Sequence, residues 1–134
     1  MIDQDFLESR LDGIDAAIKR QKDNFNPSAY VAICDNKIVG YAAYGKERSG
    51  KDKTGEIYAI YILDHMQCKG IGSMLVHHCK ASLMEYDYMH IWALKDNPNK
   101  SFYEKIGGNI VARKYLEIGS QSLETECFEY KLKG

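Results

Sequence analysis

The pattern of apolar and polar residues along this chain predicts an α+β domain, a mixed and mostly antiparallel sheet flanked by helices. Two observations carry that reading. Three strand-like runs sit close together between Ala29 and Leu63, spaced as antiparallel neighbours. After them, helix and strand patterns alternate before the chain closes on a strand pair. The length, 134 residues, suits one domain spanning residues 1–134, because domains typically hold roughly 100–200 residues. An apolar fraction of 45% supplies a core that needs no metal or disulfide.

Each element has its own signal. Phe6, Leu7, Leu11, Ile14 and Ile18 recur at helical spacing, with acids at Asp3 and Asp5 and bases at Lys19, Arg20 and Lys22. Those charges suit the two ends of a helix dipole, so a first helix is expected from near Asp3. Asn24 to Pro27 should break it. Strands follow at Ala29–Cys34 and Lys37–Tyr44, joined by Asp35-Asn36, a pair suited to a tight hairpin. Lys46 to Thr54 is polar and reads as an exposed loop, and Glu56–Leu63 is a third strand rich in Ile and Tyr. From Lys69 to about Met84 a helix places Ile71, Leu75, Cys79 and Leu83 on one face. Tyr88–Leu94 is a strand. Asn97 should cap a last helix with Pro98 at its first position and Gly107 as its stop. Ile110–Ile118 and Leu123–Leu132 then form a hairpin around Gly119-Ser120.

Charge and composition exclude several function classes. The net charge is −1, from 18 basic and 19 acidic residues, without the cationic surplus that nucleic acid demands. Apolar runs stay under about ten residues, too short for a membrane-spanning helix. The start, Met1 to Asp5, is acidic where a signal peptide would be basic. A soluble cytoplasmic protein is expected. The cysteines are Cys34, Cys68, Cys79 and Cys127, with no C-x-x-C pair. His65 with Cys68, or His77 with Cys79, matches no common zinc spacing, so no metal is expected and the thiols read as reduced small hydrophobes.

The most informative segment runs from Ile60 to Gly72. A strand ends, a short turn intervenes, and the loop Gln67-Cys68-Lys69-Gly70-Ile71-Gly72-Ser73 opens directly into a helix. Such a loop converges backbone N–H groups on one spot, and the helix N-terminus adds a favourable dipole for an anion. Gly70 and Gly72 permit close approach, and Lys69 adds positive charge. The segment matches neither a Walker loop nor a Rossmann fingerprint. A glycine pair before a helix also serves close helix–strand packing, so both readings stay open on these residues alone.

Two segments together resemble the GNAT superfamily of acetyl-CoA-dependent N-acetyltransferases. Gln67-Cys68-Lys69-Gly70-Ile71-Gly72 is similar to the family's Q/R-x-x-G-x-G/A loop for the CoA pyrophosphate. Asn97-Pro98-Asn99-Lys100-Ser101-Phe102-Tyr103-Glu104-Lys105-Ile106-Gly107-Gly108 resembles its N-P-x-x-x-F-Y-E-x-x-G-G helix. Gly55 to Ile62 looks like the strand feeding the loop. The resemblance covers about Ala29 to Leu132 and implies a GNAT-like fold in which a splayed strand pair holds acetyl-CoA. Backbone groups of Ile60, Tyr61 and Ile62 would pair with the pantetheine arm, as an added strand would. Asn97 would reach the pantetheine, and Tyr103 would sit near the CoA sulfur. The family's usual strand and helix before the first helix are expected to be absent here. A homodimer is therefore expected, with a second subunit covering exposed sheet edge or pocket.

The resemblance implies N-acetyl transfer from acetyl-CoA to a primary amine, by direct attack in a ternary complex. A lysine-like amine, of pKa ~10.4, must lose a proton before attack. Glu56, on the strand that presents the cofactor, is the candidate base, beside the plainer reading of a strand-end glutamate facing water. Tyr103 is the candidate proton donor to the leaving sulfur, beside that of a core tyrosine next to Phe102. An N–H near Ile62 would stabilise the developing oxyanion. Cys68 lies in the phosphate loop, away from the acetyl position. His77 and His78 read as helix-surface residues, and His90 as a mid-strand residue with no acid nearby in sequence. Tyr58 or Tyr61 could wall an acceptor pocket. The competing class is a non-catalytic acetyl-CoA-binding regulatory module, against which Glu56, Asn97 and Tyr103 argue. The acceptor stays open among polyamines, aminoglycoside-like amines, amino-acid derivatives and protein N-termini.

Overall fold

A β-hairpin opens the chain in the computed structural model, which describes residues 3–11, 14–22, 28–66 and 70–133. Strands β1 (Asp3–Leu11) and β2 (Ile14–Lys22) run antiparallel with Leu11 opposite Ile14. This corrects the expected first helix. Ile14, Ala16 and Ile18 satisfy a period of two as well as a helical spacing, and the two residues between the strands are Asp-Gly, a strong hairpin signal. Pairing with the next strand decides between the periods: Ala17 to Gln21 align with Ile33 to Ala29, and Ile18 is fully buried. A helix would have left that edge without partners.

The chain divides into two compact units, one of Met1–Gly45 and Ile57–Met84, the other of Lys46–Glu56 and Glu85–Gly134. In the first unit, β1 and β2 are followed by β3 (Ser28–Cys34), β4 (Lys37–Lys46) and the main part of β5 (Thr54–Ile62), in that spatial order. The β3–β4 turn falls at Asp35-Asn36 as expected, with φ of 53° and 63°, the left-handed pair that matches strand twist. Helix α1 (Ile71–Ser82) packs beside them through Ile71, Leu75, Val76 and Cys79, all buried at helical spacing. Its last turn is tied to β3 by the Tyr30 hydroxyl, 2.6 Å from the Ser82 Oγ, while the Tyr30 ring stacks on Tyr44 of β4. Gly40 leaves room for this layer: a Cβ there would lie 3.0 Å from the Tyr61 carbonyl and 3.5 Å from Leu75.

The second unit is built on β6 (Tyr88–Leu94), β8 (Gln121–Lys131) and β7 (Asn109–Ile118), antiparallel in the spatial order β6–β8–β7. Met89, Ile91 and Ala93 alternate along β6 as buried residues, and Phe128 and Tyr130 of β8 are buried with them. Helix α2 (Lys100–Lys105) starts later than the sequence suggests. Its N-cap is Asn99, while Asn97 Oδ1 accepts the Asn99 N–H at 2.7 Å in a preceding turn. That local bond is the competing use of an asparagine side chain, and it moves the cap two residues on.

The glycine pair after α2 has two distinct jobs. Gly107, at φ 106°, takes the left-handed conformation that ends the helix. Gly108 is buried where a Cβ would meet the Tyr130 hydroxyl at 2.7 Å and the Tyr103 carbonyl at 2.8 Å. That carbonyl accepts both the Tyr130 hydroxyl, at 2.9 Å, and the Gly108 N–H, at 3.1 Å. Among the described residues no helix is long and apolar enough to cross a membrane. Gly108→Ala should destabilise the protein by about 1–3 kcal/mol, because the obstructing atoms include backbone that cannot turn away. Tyr130→Phe should cost about 1 kcal/mol, since one of two donors is lost. Chemical denaturation of both variants checks the order; equal stabilities would contradict it.

Candidate active site

In the first unit the site elements are the end of β5 and the start of α1. Ile60 and Ile62 are half-buried and Tyr61 is exposed, its ring 6.5 Å from that of Tyr41. Gly70 caps α1 at φ 84° with no side-chain bond to the helix end. The first intrahelical bond runs from Met74 N–H to the Gly70 carbonyl, so the amides of Ile71, Gly72 and Ser73 precede the helical ladder. Ile71 and Gly72 are buried and Ser73 is exposed. An anion at this end would meet converging N–H groups and the positive end of the dipole. Gln67, Cys68 and Lys69, also expected to bind the cofactor, lie outside the described residues.

The second unit holds both expected catalytic residues. Glu56, 3% exposed, is not the water-facing residue of the plainer reading. Its carboxylate takes a fork of donors from Arg48: N–H at 3.1 Å and Nε at 3.4 Å on Oε1, and Nη2 at 2.8 Å on Oε2. The Arg48 side chain is 63% exposed, so the pair is open on its cationic side. The neighbouring Glu47 folds back onto the Ser49 hydroxyl and amide. Burial would raise its carboxyl, but the Ser49 bonds and the Lys51 and Gly50 amides outweigh that and hold it below the usual range.

Tyr103 is buried in α2, its ring centroid 5.4 Å from Phe128 and 5.6 Å from Phe102. Burial raises its phenol above the ordinary 10, so it keeps its proton at neutral pH. The tyrosine thus has the packing of a core residue and the protonation state of an acid. Asn97 is half-buried in the turn before the helix.

Three features escaped the sequence reading. His90 does have an acid partner: Nε2 lies 3.0 Å from Glu129 Oε2, in register across β6 and β8, with Lys51 Nζ 4.0 Å from the same oxygen. His78 is not a plain surface residue, for Nε2 is buried without a hydrogen-bond partner among the described residues, and burial followed by the charge of His77 lowers its pKa. Glu126, nearly inaccessible on β8, sits between Lys100 Nζ at 2.9 Å and Arg113 Nε at 3.0 Å. Alternation or strand register could have offered these pairs, but only once the partner strands were known. Two thiols stay protonated at neutral pH: burial pushes Cys79 well up, and burial with the nearby Glu129 charge pushes Cys127 up to about 12. Among the described residues no group of three His, Cys, Asp or Glu could hold a metal ion.

A family model for the acetyltransferase (GNAT) family matches residues 2–108. The chain belongs to that family. It is 31% identical over 90 residues to the uncharacterized N-acetyltransferase YuaI of Bacillus subtilis (strain 168), a match covering 65% of this chain and 52% of that protein. The chain thus matches about half the length of this relative. The structure of smu.2055 from Streptococcus mutans UA159 superposes with a TM-score of 0.70 at 26% identity, covering 82% of this chain and 73% of that one. The N-acetyltransferase of Staphylococcus aureus Mu50 gives 0.69 at 18% identity, covering 79% and 68%. The structure of yncA from Salmonella typhimurium, solved with acetyl-CoA, gives 0.68 at 18%, covering 79% and 65%. These likenesses bear out the GNAT-like α+β fold class.

The Lys100 bond, aided by Arg113 against the opposing effect of burial, holds the Glu126 carboxyl below its ordinary 4.5. A depressed folded pKa contributes stability above the unfolded value, and that contribution is lost as pH falls through the folded one. Glu126→Gln should therefore lower the melting temperature at pH 7 and flatten its dependence on pH on the acid side of about 4.5. Melting curves from pH 3 to 7 test this; parallel curves for variant and wild type would exclude it.

Proposed function

We propose that residues 1–134 form one acetyltransferase domain that moves an acetyl group from acetyl-CoA to a primary amine, by direct attack in a ternary complex. The observation that carries the reading is the start of α1, where a left-handed Gly70 and the uncapped amides of Ile71, Gly72 and Ser73 suit a pyrophosphate. These residues fit the CoA group: the donors are backbone, the glycine leaves the approach clear, and no acid stands in the first turn of the helix. Gln67, Cys68 and Lys69 complete the loop in this reading. Backbone groups of Ile60, Tyr61 and Ile62, with the Asn97 side chain, hold the pantetheine. Bound acetyl-CoA supplies an acetyl group activated as a thioester.

The chain's own residues then manage two protons. Glu56 accepts one at its carboxylate, from the acceptor's ammonium directly or through water. The Arg48 fork supports a cationic acceptor, because it is itself a cation seated on that carboxylate from the exposed side. Tyr103 holds the other proton at Oη for the departing sulfur, and its raised pKa keeps that proton in place through neutral pH. A backbone N–H near Ile62 is the oxyanion donor in this scheme. A non-catalytic acetyl-CoA-binding module is the second reading, favoured by the occupation of both Glu56 oxygens by Arg48.

Gly70→Asp sets a negative side chain against the pyrophosphate, and calorimetry should show acetyl-CoA affinity falling sharply while the fold persists. Undiminished affinity in a folded variant excludes the site. Tyr103→Phe should lower turnover by roughly 10²–10⁴ with little change in acetyl-CoA affinity. Glu56→Gln should lose most rate at low pH, where the amine is charged, and recover partly as rising pH deprotonates the amine unaided. CoA release across a panel of amines reads both variants. Wild-type protein that binds acetyl-CoA but releases no CoA with any amine supports the regulatory module instead.

A further inference from the structure

Strand β7 stands at the end of the strand order, with β8 on one side and no strand on the other among the described residues. Its outer half is apolar to a degree that a free edge rarely tolerates: Tyr115 is 67% exposed, Leu116 44% and Ile118 55%. The phase of its backbone is fixed. Ile118 and Gln121 close the two-residue turn, so Ile118, Leu116 and Lys114 direct their N–H and C=O groups toward β8. Two hydrogen bonds agree with this phase. The Lys114 carbonyl accepts the Thr125 hydroxyl at 2.9 Å, and the carbonyl of Glu124, which faces Tyr115, turns instead to the Lys95 N–H. The outward row of backbone donors and acceptors therefore belongs to Arg113, Tyr115 and Glu117.

We propose that this row is an interface between two copies of the chain, joined as antiparallel β7 strands about a two-fold axis through Tyr115. The charges select both partner and register. With Tyr115 opposite itself, Arg113 of each copy faces Glu117 of the other, and each of these pairs exchanges both backbone bonds. A slide toward the strand start sets Lys114 against Lys114, then Arg113 against Arg113. A slide the other way leaves Arg113 opposite Gly119, then sets Glu117 against Glu117. Only the Tyr115-centred alignment gives both charges a counter-ion. Both groups have capacity for it. Arg113 spends Nε on Glu126, but its side chain stays 58% exposed, and among the described residues Glu117 accepts the Ser122 hydroxyl through Oε1. The symmetry is closed, so pairing ends at two chains.

Light scattering should give twice the chain mass of 15.3 kDa for the wild type. Glu117→Arg sets two like-charge pairs in the interface and should weaken the dimer about tenfold or more, without unfolding an exposed strand. Tyr115→Cys provides a second measurement, because a hydrogen-bonded antiparallel pair sets its Cα atoms about 5.5 Å apart, within disulfide reach. Mild oxidation should link two Tyr115→Cys chains faster than two Ile38→Cys chains, Ile38 being similarly exposed on β4. A monomeric wild type, a dimer indifferent to Glu117→Arg, or equal linking of the two cysteine variants would each overturn the proposal.

Discussion

The carbonyl oxygen of Tyr103 is the point on which the second unit turns. It takes the Tyr130 hydroxyl from the sheet and the Gly108 N–H from the chain just past α2. A six-residue helix has little cohesion of its own, because the cost of nucleation is spread over few bonds. External anchoring must replace it. The two donors fix the helix end, Gly108 keeps their approach free of a Cβ, and the ring of Tyr103 is left packed against Phe128. The same contact sets the angle of the hydroxyl proposed as the acid. Fold and proposed chemistry meet in one residue here, whose carbonyl serves the first and whose phenol is assigned to the second.

The charged groups follow a common design. Glu56 and Glu126 are both buried carboxylates on strands, and each is held by cations whose own side chains reach solvent. Such asymmetric pairs keep one end fixed by the sheet while the other remains exchangeable with a ligand or with water. Around Glu126 the partners come from two elements, Lys100 of α2 and Arg113 of β7, so the pair acts as a structural tie. Around Glu56 they come from one residue on an adjoining loop, a looser arrangement suited to an exchangeable partner.

Much of this was legible in the sequence, and the exceptions have physical causes. Strand β6 was read with the bounds the structure gives, because Met89, Ile91 and Ala93 alternate cleanly between turns. The hairpin turns at Asp35-Asn36 and Gly119-Ser120 were legible because Asp, Asn and Gly tolerate positive φ, which Asp35, Asn36 and Gly119 adopt. The first element was misread because its apolar spacing satisfied two periods, and only pairing with β3 separates them. The loop that opens α1 and the α2 motif could be singled out because their residue order resembles the family's patterns. The partners of Glu56, His90 and Glu126 could not, for a cross-strand neighbour such as Glu129 is set by register rather than by sequence distance.

Trp92, the single tryptophan of the chain, lies half-buried on β6 with the Lys114 ammonium 4.3 Å from its ring centroid. A cation at that distance perturbs the indole's excited state, and it is carried there by β7. Intrinsic fluorescence excited at the indole therefore watches one unit of the molecule, and within it the seating of β7 beside β8. The tyrosines are spread over both units, so their absorbance averages the whole chain. The two optical signals can separate loss of the second unit from loss of the first without any label being attached.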